Sequence, residues 1–236
     1  MKEMIYMRIK NRKQRISEYN EKYQDRDLDI NKHLKKYFKD RKWDFDKAVK
    51  KANKKAEKIL EQREYETINL IFFEYPMKTE RPRKAGWKIY SPNAAENHSY
   101  FEKVWNKIIN DFKLINTPAE IEIKAYLEMP STVKADEVLL FEAGILDILE
   151  TPDYDNIGKC YTDMLKDILV VDDDLFHTGT IRKYYSVIPR VEIRITYLKQ
   201  HESEFIYKKL KSRKRIKELQ KEGLLELKVI DYKKDR

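Results

Sequence analysis

The chain has 236 residues, 39% of them charged and 41% hydrophobic, with a formal net charge of +9 and a single cysteine. That is apolar enough to fold yet too polar for a membrane protein, and no apolar run approaches the roughly 20 residues of a membrane span. The lone Cys160 excludes an intramolecular disulfide, five glycines leave little room for Gly-rich phosphate loops, and Met1–Arg15 has no apolar core of a secretion signal.

Residues 1–66 read as helical and highly charged, with 21 Lys/Arg against 13 Asp/Glu. Leu28, Ile30, Leu34 and Phe38 follow a roughly helical spacing. Trp43 to Glu64, with Ala48, Ala52, Ala56 and Leu60 at fours and no Pro or Gly, predicts an amphipathic helix. No internal repeat or low-complexity linker stands out. Composition shifts near Tyr65, which sets the expected division: a charged helical extension over 1–66, a core over 67–200, and a basic extension over 201–236.

From Thr67 the period changes. TINLIFFEYP predicts a strand ending at Pro76, and a short strand is expected around Trp87 to Tyr90. Ser91 or Asn93 opens a helix with Tyr100, Val104, Ile108 and Phe112 on one face. AEIEIKAYLEMP alternates Ile121, Ile123 and Leu127, a strand with one buried face. ADEVLLFEAGILDIL reads as a short helix followed by irregular chain. Asp155 or Asn156 caps a helix running to about Leu169. A turn at VVDDDL leads into a strand, and PRVEIRITYL is a second one, with the break at Ser186–Pro189 suggesting a hairpin. A helix over Glu202–Gln220 stops at Gly223, and LLELKVIDY alternates as an added edge strand. The expected class is α+β, a small mixed β-sheet with helices packed on one face.

The centre, 67–200, carries 17 Lys/Arg and 21 Asp/Glu, whereas 201–236 carries 12 and 7. Basic ends suit a polyanion. Carboxylates in the middle of a polyanion binder make chemical sense with a bound divalent cation. They concentrate in PDYDNIGKCYTDMLKDILVVDDDLF. Asp153 and Asp155 are two apart on an extended segment, with Lys159 one helical turn after Asp155. A strand carrying Asp172–Asp174 beside the one carrying Asp153 would bring both clusters to one end of the sheet. Mg²⁺ takes oxygen ligands, usually one or two carboxylates with water and phosphate. Such a site activates water for phosphodiester cleavage, and Lys159 balances charge on the phosphate. The same residues also read as a helix cap, an i,i+4 ion pair and a solvated turn. A calcium loop is excluded, since Ile157 and Met164 fall where an EF-hand needs an oxygen ligand and a bidentate Glu.

PDYDN with Lys159, then Asp163 and Leu165, then DDDLF resembles the signature of the RusA family of Holliday junction resolvases: Asp-x-Asp-Asn-x-x-Lys, a helix with a further Asp, and an Asp-Asp pair before a strand. ERPRKAGWKIYSPNAAENHSYFEKV is similar to the family's Pro-Arg segment, and RKYYSVIPRVEIRI to its closing basic hairpin. The resemblance spans about residues 67–200. It implies a Mg²⁺-dependent endonuclease, with Mn²⁺ as a substitute, that makes paired cuts in four-way DNA junctions as a homodimer. Asp153, Asp155 and Asp173 would hold the metal, and Lys159 would be catalytic. The third acid is one of Asp172–Asp174: counting back from Lys183, which matches a family lysine, favours Asp173, whereas counting forward from Asp163 favours Asp174. No membrane or small-molecule cofactor is implied, and the family's usual setting is the cytoplasm of a bacterium carrying a phage or prophage. Thr151–Pro152, where relatives carry a basic residue, and Lys166–Asp167, where they usually carry Gly, depart from the pattern.

Arg81, Arg83 and Lys84 beside Trp87 and Tyr90 form a basic-aromatic cluster suited to DNA, as do Arg182, Lys183 and Arg190. Cys160 reads as packing, and the four histidines suggest no zinc site. Two alternatives remain: a flap or fork nuclease of the same fold, and a non-catalytic DNA-binding protein.

Overall fold

The computed structural model describes residues 29–77, 83–85, 88–90, 113–166 and 168–232. Arg81 and the expected helix through Tyr100–Phe112 lie outside these. The chain divides into two compact units, 1–57 and 58–236.

The first unit contains α1 (Ile30–Asp40) and most of α2 (Phe45–Gln62). Each helix begins at an aspartate: Asp29 accepts from the N–H groups of Asn31 and Lys32, and Asp44 from that of Lys47 at 2.9 Å. Capping of this kind contributes about 1 kcal/mol. Between them Lys42 takes a positive φ of 55°, and the ring of Phe38 meets Trp43 and Phe45 edge-on at 5.7 and 5.2 Å. No residue of either helix is buried.

The second unit is built on a four-stranded sheet in the order β1-β6-β4-β5. Its strands are β1 (Tyr65–Phe72), β4 (Ala119–Glu128), β5 (Phe176–Ser186) and β6 (Arg190–Leu198). β6 runs antiparallel to both β1 and β4, whereas β4 and β5 are parallel. Arg83–Ala85 and Lys88–Tyr90, β2 and β3, form a separate antiparallel pair. The class is α+β with a mixed sheet, as expected.

Alternation puts one sheet face in the core: Leu70 and Phe72, then Ile121, Ile123 and Ala125, then Val191, Ile193 and Ile195 are all buried. A parallel pair needs a crossover, and here it carries α3 (Ala135–Glu142) and α4 (Tyr154–Leu165). Helix α4 buries Ile157, Cys160, Tyr161 and Leu165. The chain then closes with α5 (Glu204–Ser212) and α6 (Lys214–Lys221), whose Leu210 and Ile216 join the same core. Among the described residues no helix is long and apolar enough to cross a membrane.

Several local expectations are corrected. β5 and β6 do not form a hairpin, because β4 lies between them. Their link is instead tied to α3: Glu142 accepts from the N–H of Val187 and the hydroxyl of Ser186. The helix cap is Asp153 rather than Asp155 or Asn156, and the helix ends at Leu165 rather than near Leu169. The long C-terminal helix is two helices broken at Arg213, whose ψ of 133° is extended. Gly223 does end the second, with φ 75°. The expected C-terminal edge strand is reduced to one bridge, His201 to Val229.

Two contacts decide how firmly α4 and the C-terminal tail are held. A Cβ added at Gly158 would stand 2.4 Å from Ile181 Cδ1, so the missing side chain sets how closely α4 approaches β5. His201, 1% exposed, shares a 3.1 Å hydrogen bond with Asn116 Oδ1. The Asn116 amide donates to the carbonyls of Leu114 and Glu226. Its oxygen therefore accepts, and the imidazole carries its proton on Nε2. Nδ1 has no partner among the described residues, and burial holds the imidazole below its ordinary value of 6.5.

Gly158→Ala must displace Ile181 Cδ1, the far end of a half-buried side chain, so its strain should roughly offset the gain in helix propensity and leave stability within about 1 kcal/mol of wild type. In an Ile181→Val background the same change should be neutral or stabilising, read by denaturant unfolding of all four variants. Because the folded state keeps His201 neutral, stability should be complete above about pH 6.5 and fall as pH drops below it, by at most about 1.4 kcal/mol per pH unit from this residue. His201→Gln should remove that part of the slope. An unchanged slope would show that this histidine is charged in the folded chain.

Candidate active site

Helix α4 lies along β5 with Gly158 against Ile181. Its N-terminal end is level with Lys183, whose ammonium donates to the carbonyls of Glu150 and Pro152. Lys183 thus anchors the segment that delivers Asp153. The Glu150 carboxylate is engaged too, accepting from the Thr151 N–H and hydroxyl and from the Tyr185 hydroxyl, and these bonds hold its pKa below the usual range.

Asp153 occupies the cap position with φ −62° and ψ 147°, but its carboxylate makes no capping hydrogen bond. Asp155 lies in the first turn and Lys159 one turn further on the same side. All three are exposed, and none makes a side-chain hydrogen bond or ion pair with a described residue. A helix N-terminus favours negative charge by roughly 0.3–1 kcal/mol, which offsets the repulsion of two adjacent carboxylates.

The second acidic cluster sits at the other end. Asp172 is the cap of a single 3-10 turn, Asp173–Leu175, that leads into β5. Lys166, just past the end of α4, reaches Asp172 at 2.6 Å and Asp173 at 3.3 Å. From the break between α5 and α6, Arg213 reaches Asp172 at 3.1 Å and Asp174 at 2.6 Å. The Lys166 ammonium holds the Asp172 carboxyl below its usual range, and the bond to Asp174 raises the Arg213 guanidinium. Asp173 is the least committed of the three, with only the longer Lys166 contact at one oxygen.

The 12 residues of α4 span about 18 Å at 1.5 Å per residue. The clusters therefore do not meet at one end of the sheet within this chain, because the helix between them lies along β5 rather than turning back. Among the described residues no three His, Cys, Asp or Glu side chains are grouped to hold a metal ion. The structure brings together Asp153, Asp155 and Lys159, and places Asp173 apart from them.

The basic candidates differ in what occupies them. Arg182 is exposed on β5. Lys183 is spent on carbonyls. Arg190 pairs with Glu192 at 2.8 Å, bonds Ser186 and stacks over Tyr126 at 3.5 Å. Arg83 and Lys84 lie on β2. Lys166 and Arg213 were missed as site neighbours. Lys166 stood out only as a departure from the family pattern, and Arg213 lies in a stretch with no Pro or Gly to mark the break.

The sequence matches the family model described as Endodeoxyribonuclease RusA over residues 74–196, just over half the chain. That span takes in β2 through nearly all of β6 and both acidic clusters. The chain is also similar to the uncharacterized protein YqaN of Bacillus subtilis strain 168, at 27% identity over 135 residues, covering 54% of this chain and 94% of the relative. With a mixed sheet carrying the Asp153–Lys159 signature on its crossover helix and a family match across that whole region, the chain belongs to the RusA endodeoxyribonuclease family, hydrolases acting on DNA.

Proposed function

We propose that the chain resolves four-way DNA junctions as a homodimer, using a divalent ion held at Asp153 and Asp155. The observation that carries this is the pair of uncommitted carboxylates at one end of α4 with an uncommitted lysine a turn away. Two carboxylates, with water and substrate phosphate completing the shell, fit Mg²⁺, and Mn²⁺ by the same chemistry. Among the described residues no third carboxylate of the same chain is grouped with this pair. A bound ion supplies charge neutralisation and a more acidic water.

The chain's own residues do the rest. Asp153 and Asp155 bind, held in place by the Lys183 anchor behind them. Lys159 places its ammonium where charge builds on the phosphate. Asp173, whose single ion pair is the longest in its run, lies too far along α4 to join its own chain's pair. In the proposed homodimer it serves the second subunit's site. Arg182 and the β2 cations Arg83 and Lys84 contact DNA phosphates, whereas Lys183 and Arg190 act through the fold.

A labelled four-way junction and a linear duplex of the same sequence, each with Mg²⁺ or EDTA, test the activity. Wild type should cut only the junction and only with Mg²⁺. Asp155→Asn should cut on the order of 10²–10³-fold more slowly while still binding the junction in EDTA. Salt-sensitive binding without cleavage in Mg²⁺ or Mn²⁺ would leave a DNA-binding protein, and cutting of flaps or forks in preference would change the substrate. Mixing inactive Asp155→Asn with inactive Asp173→Asn should restore roughly a quarter of the activity, since half of the dimers are mixed and each has one intact site. No restoration would place Asp173 in the site of its own chain.

A further inference from the structure

Residues 1–73 lie outside the family match, and the described part of that stretch carries a pattern of its own. From Asp29 to Lys39 the chain reads cap, apolar residue, then Lys32, Lys35, Lys36 and Lys39. From Asp44 to Lys54 the same order returns 15 residues later, with Lys47, Lys50, Lys51 and Lys54. The aspartates are the caps of α1 and α2. Ile30 and Leu34 are matched by Phe45 and Val49. The register of four lysines at i, i+3, i+4 and i+7 occurs once on each helix, and that spacing lines one face.

All eight lysines are exposed. Lys35, Lys36, Lys39 and the four of α2 make no side-chain ion pair or hydrogen bond with a described residue. Acids do not neutralise the surface, since residues 29–57 hold 11 Lys/Arg against 5 Asp/Glu. Each row presents ammonium groups over about 10 Å of helix, against a duplex that carries one phosphate per roughly 1.7 Å of its axis. Neither helix buries a residue, so core packing does not account for the lysine register.

We infer that this two-helix arm is a second DNA contact, binding duplex phosphates without sequence preference through its repeated lysine rows and adding affinity to the nuclease core. The choice of DNA as the polyanion rests on the proposed nuclease reading; the charge geometry does not. The arm supplies attraction to any duplex, while the core selects the junction.

The test uses the full chain with Lys35, Lys36, Lys50 and Lys51 all changed to Gln, and a second variant with the same four changed to Arg. Binding to a four-way junction and to linear duplex is measured in EDTA across a range of salt. The Gln variant should bind both about tenfold or more weakly at physiological salt, with the slope of log K on log salt shallower by about 2 to 4. The Arg variant should keep the wild-type slope, and both should cut saturated junction at the wild-type rate in low salt. Circular dichroism of the Gln variant checks that its helices remain. An unchanged slope and affinity in a helical variant overturns the inference, as does the Arg variant losing affinity like the Gln variant. A changed slope in a chain that cuts no DNA would leave the arm's role standing and remove the nuclease reading.

Discussion

The approach of α4 to β5 is the constraint on which the site depends. Gly158 lets the helix lie within contact of Ile181, and the parallel β4–β5 pair demands a crossover that brings it there. Once the helix is laid along the strand, its two ends have fixed addresses. The start stands beside Lys183, which ties down the two carbonyls before Asp153. The finish stands beside the first turn of β5, where Lys166 meets Asp172 and Asp173. One helix therefore separates the two groups of acids that the sequence holds within about twenty residues of each other.

The two groups also differ in how their charge is met. At the start of α4 the carboxylates face solvent with only the helix end to favour them. At its finish Arg213 and Lys166 already neutralise much of the run. A cation is accommodated with least competition where no protein cation is already paired with the carboxylates, which is why the Asp153–Asp155 pair is the proposed metal site. Arg213 comes from beyond the family match, so the chain's C-terminal helices contribute to this region as well as to the core.

Much of the fold was legible because it is local. Alternation marked β4 and β6, and the fours of Ala48, Ala52 and Ala56 marked α2. The Asp-x-Asp-Asn-x-x-Lys pattern was legible through resemblance. What failed was non-local. Nothing in the residues between Ser186 and Pro189 says that β4 will insert between β5 and β6. The anchoring role of Lys183 was not legible, because its partners are backbone carbonyls 31 and 33 residues away, and carbonyls leave no mark in a sequence. The break at Arg213 was hidden because no Pro or Gly marks it, and the acids that Arg213 meets lie about 40 residues earlier in the chain. The 15-residue lysine register was available and overlooked, since each row alone reads as a solvated face.

The central claim is that Asp153 and Asp155 together hold the divalent ion. Anomalous scattering from Mn²⁺ in crystals of the protein with an uncut four-way junction locates it directly. A peak within bonding distance of both carboxylates, with Lys159 toward the phosphate, is the predicted result. A peak at Asp172–Asp174 alone, with Asp153 and Asp155 left in solvent, would contradict the account.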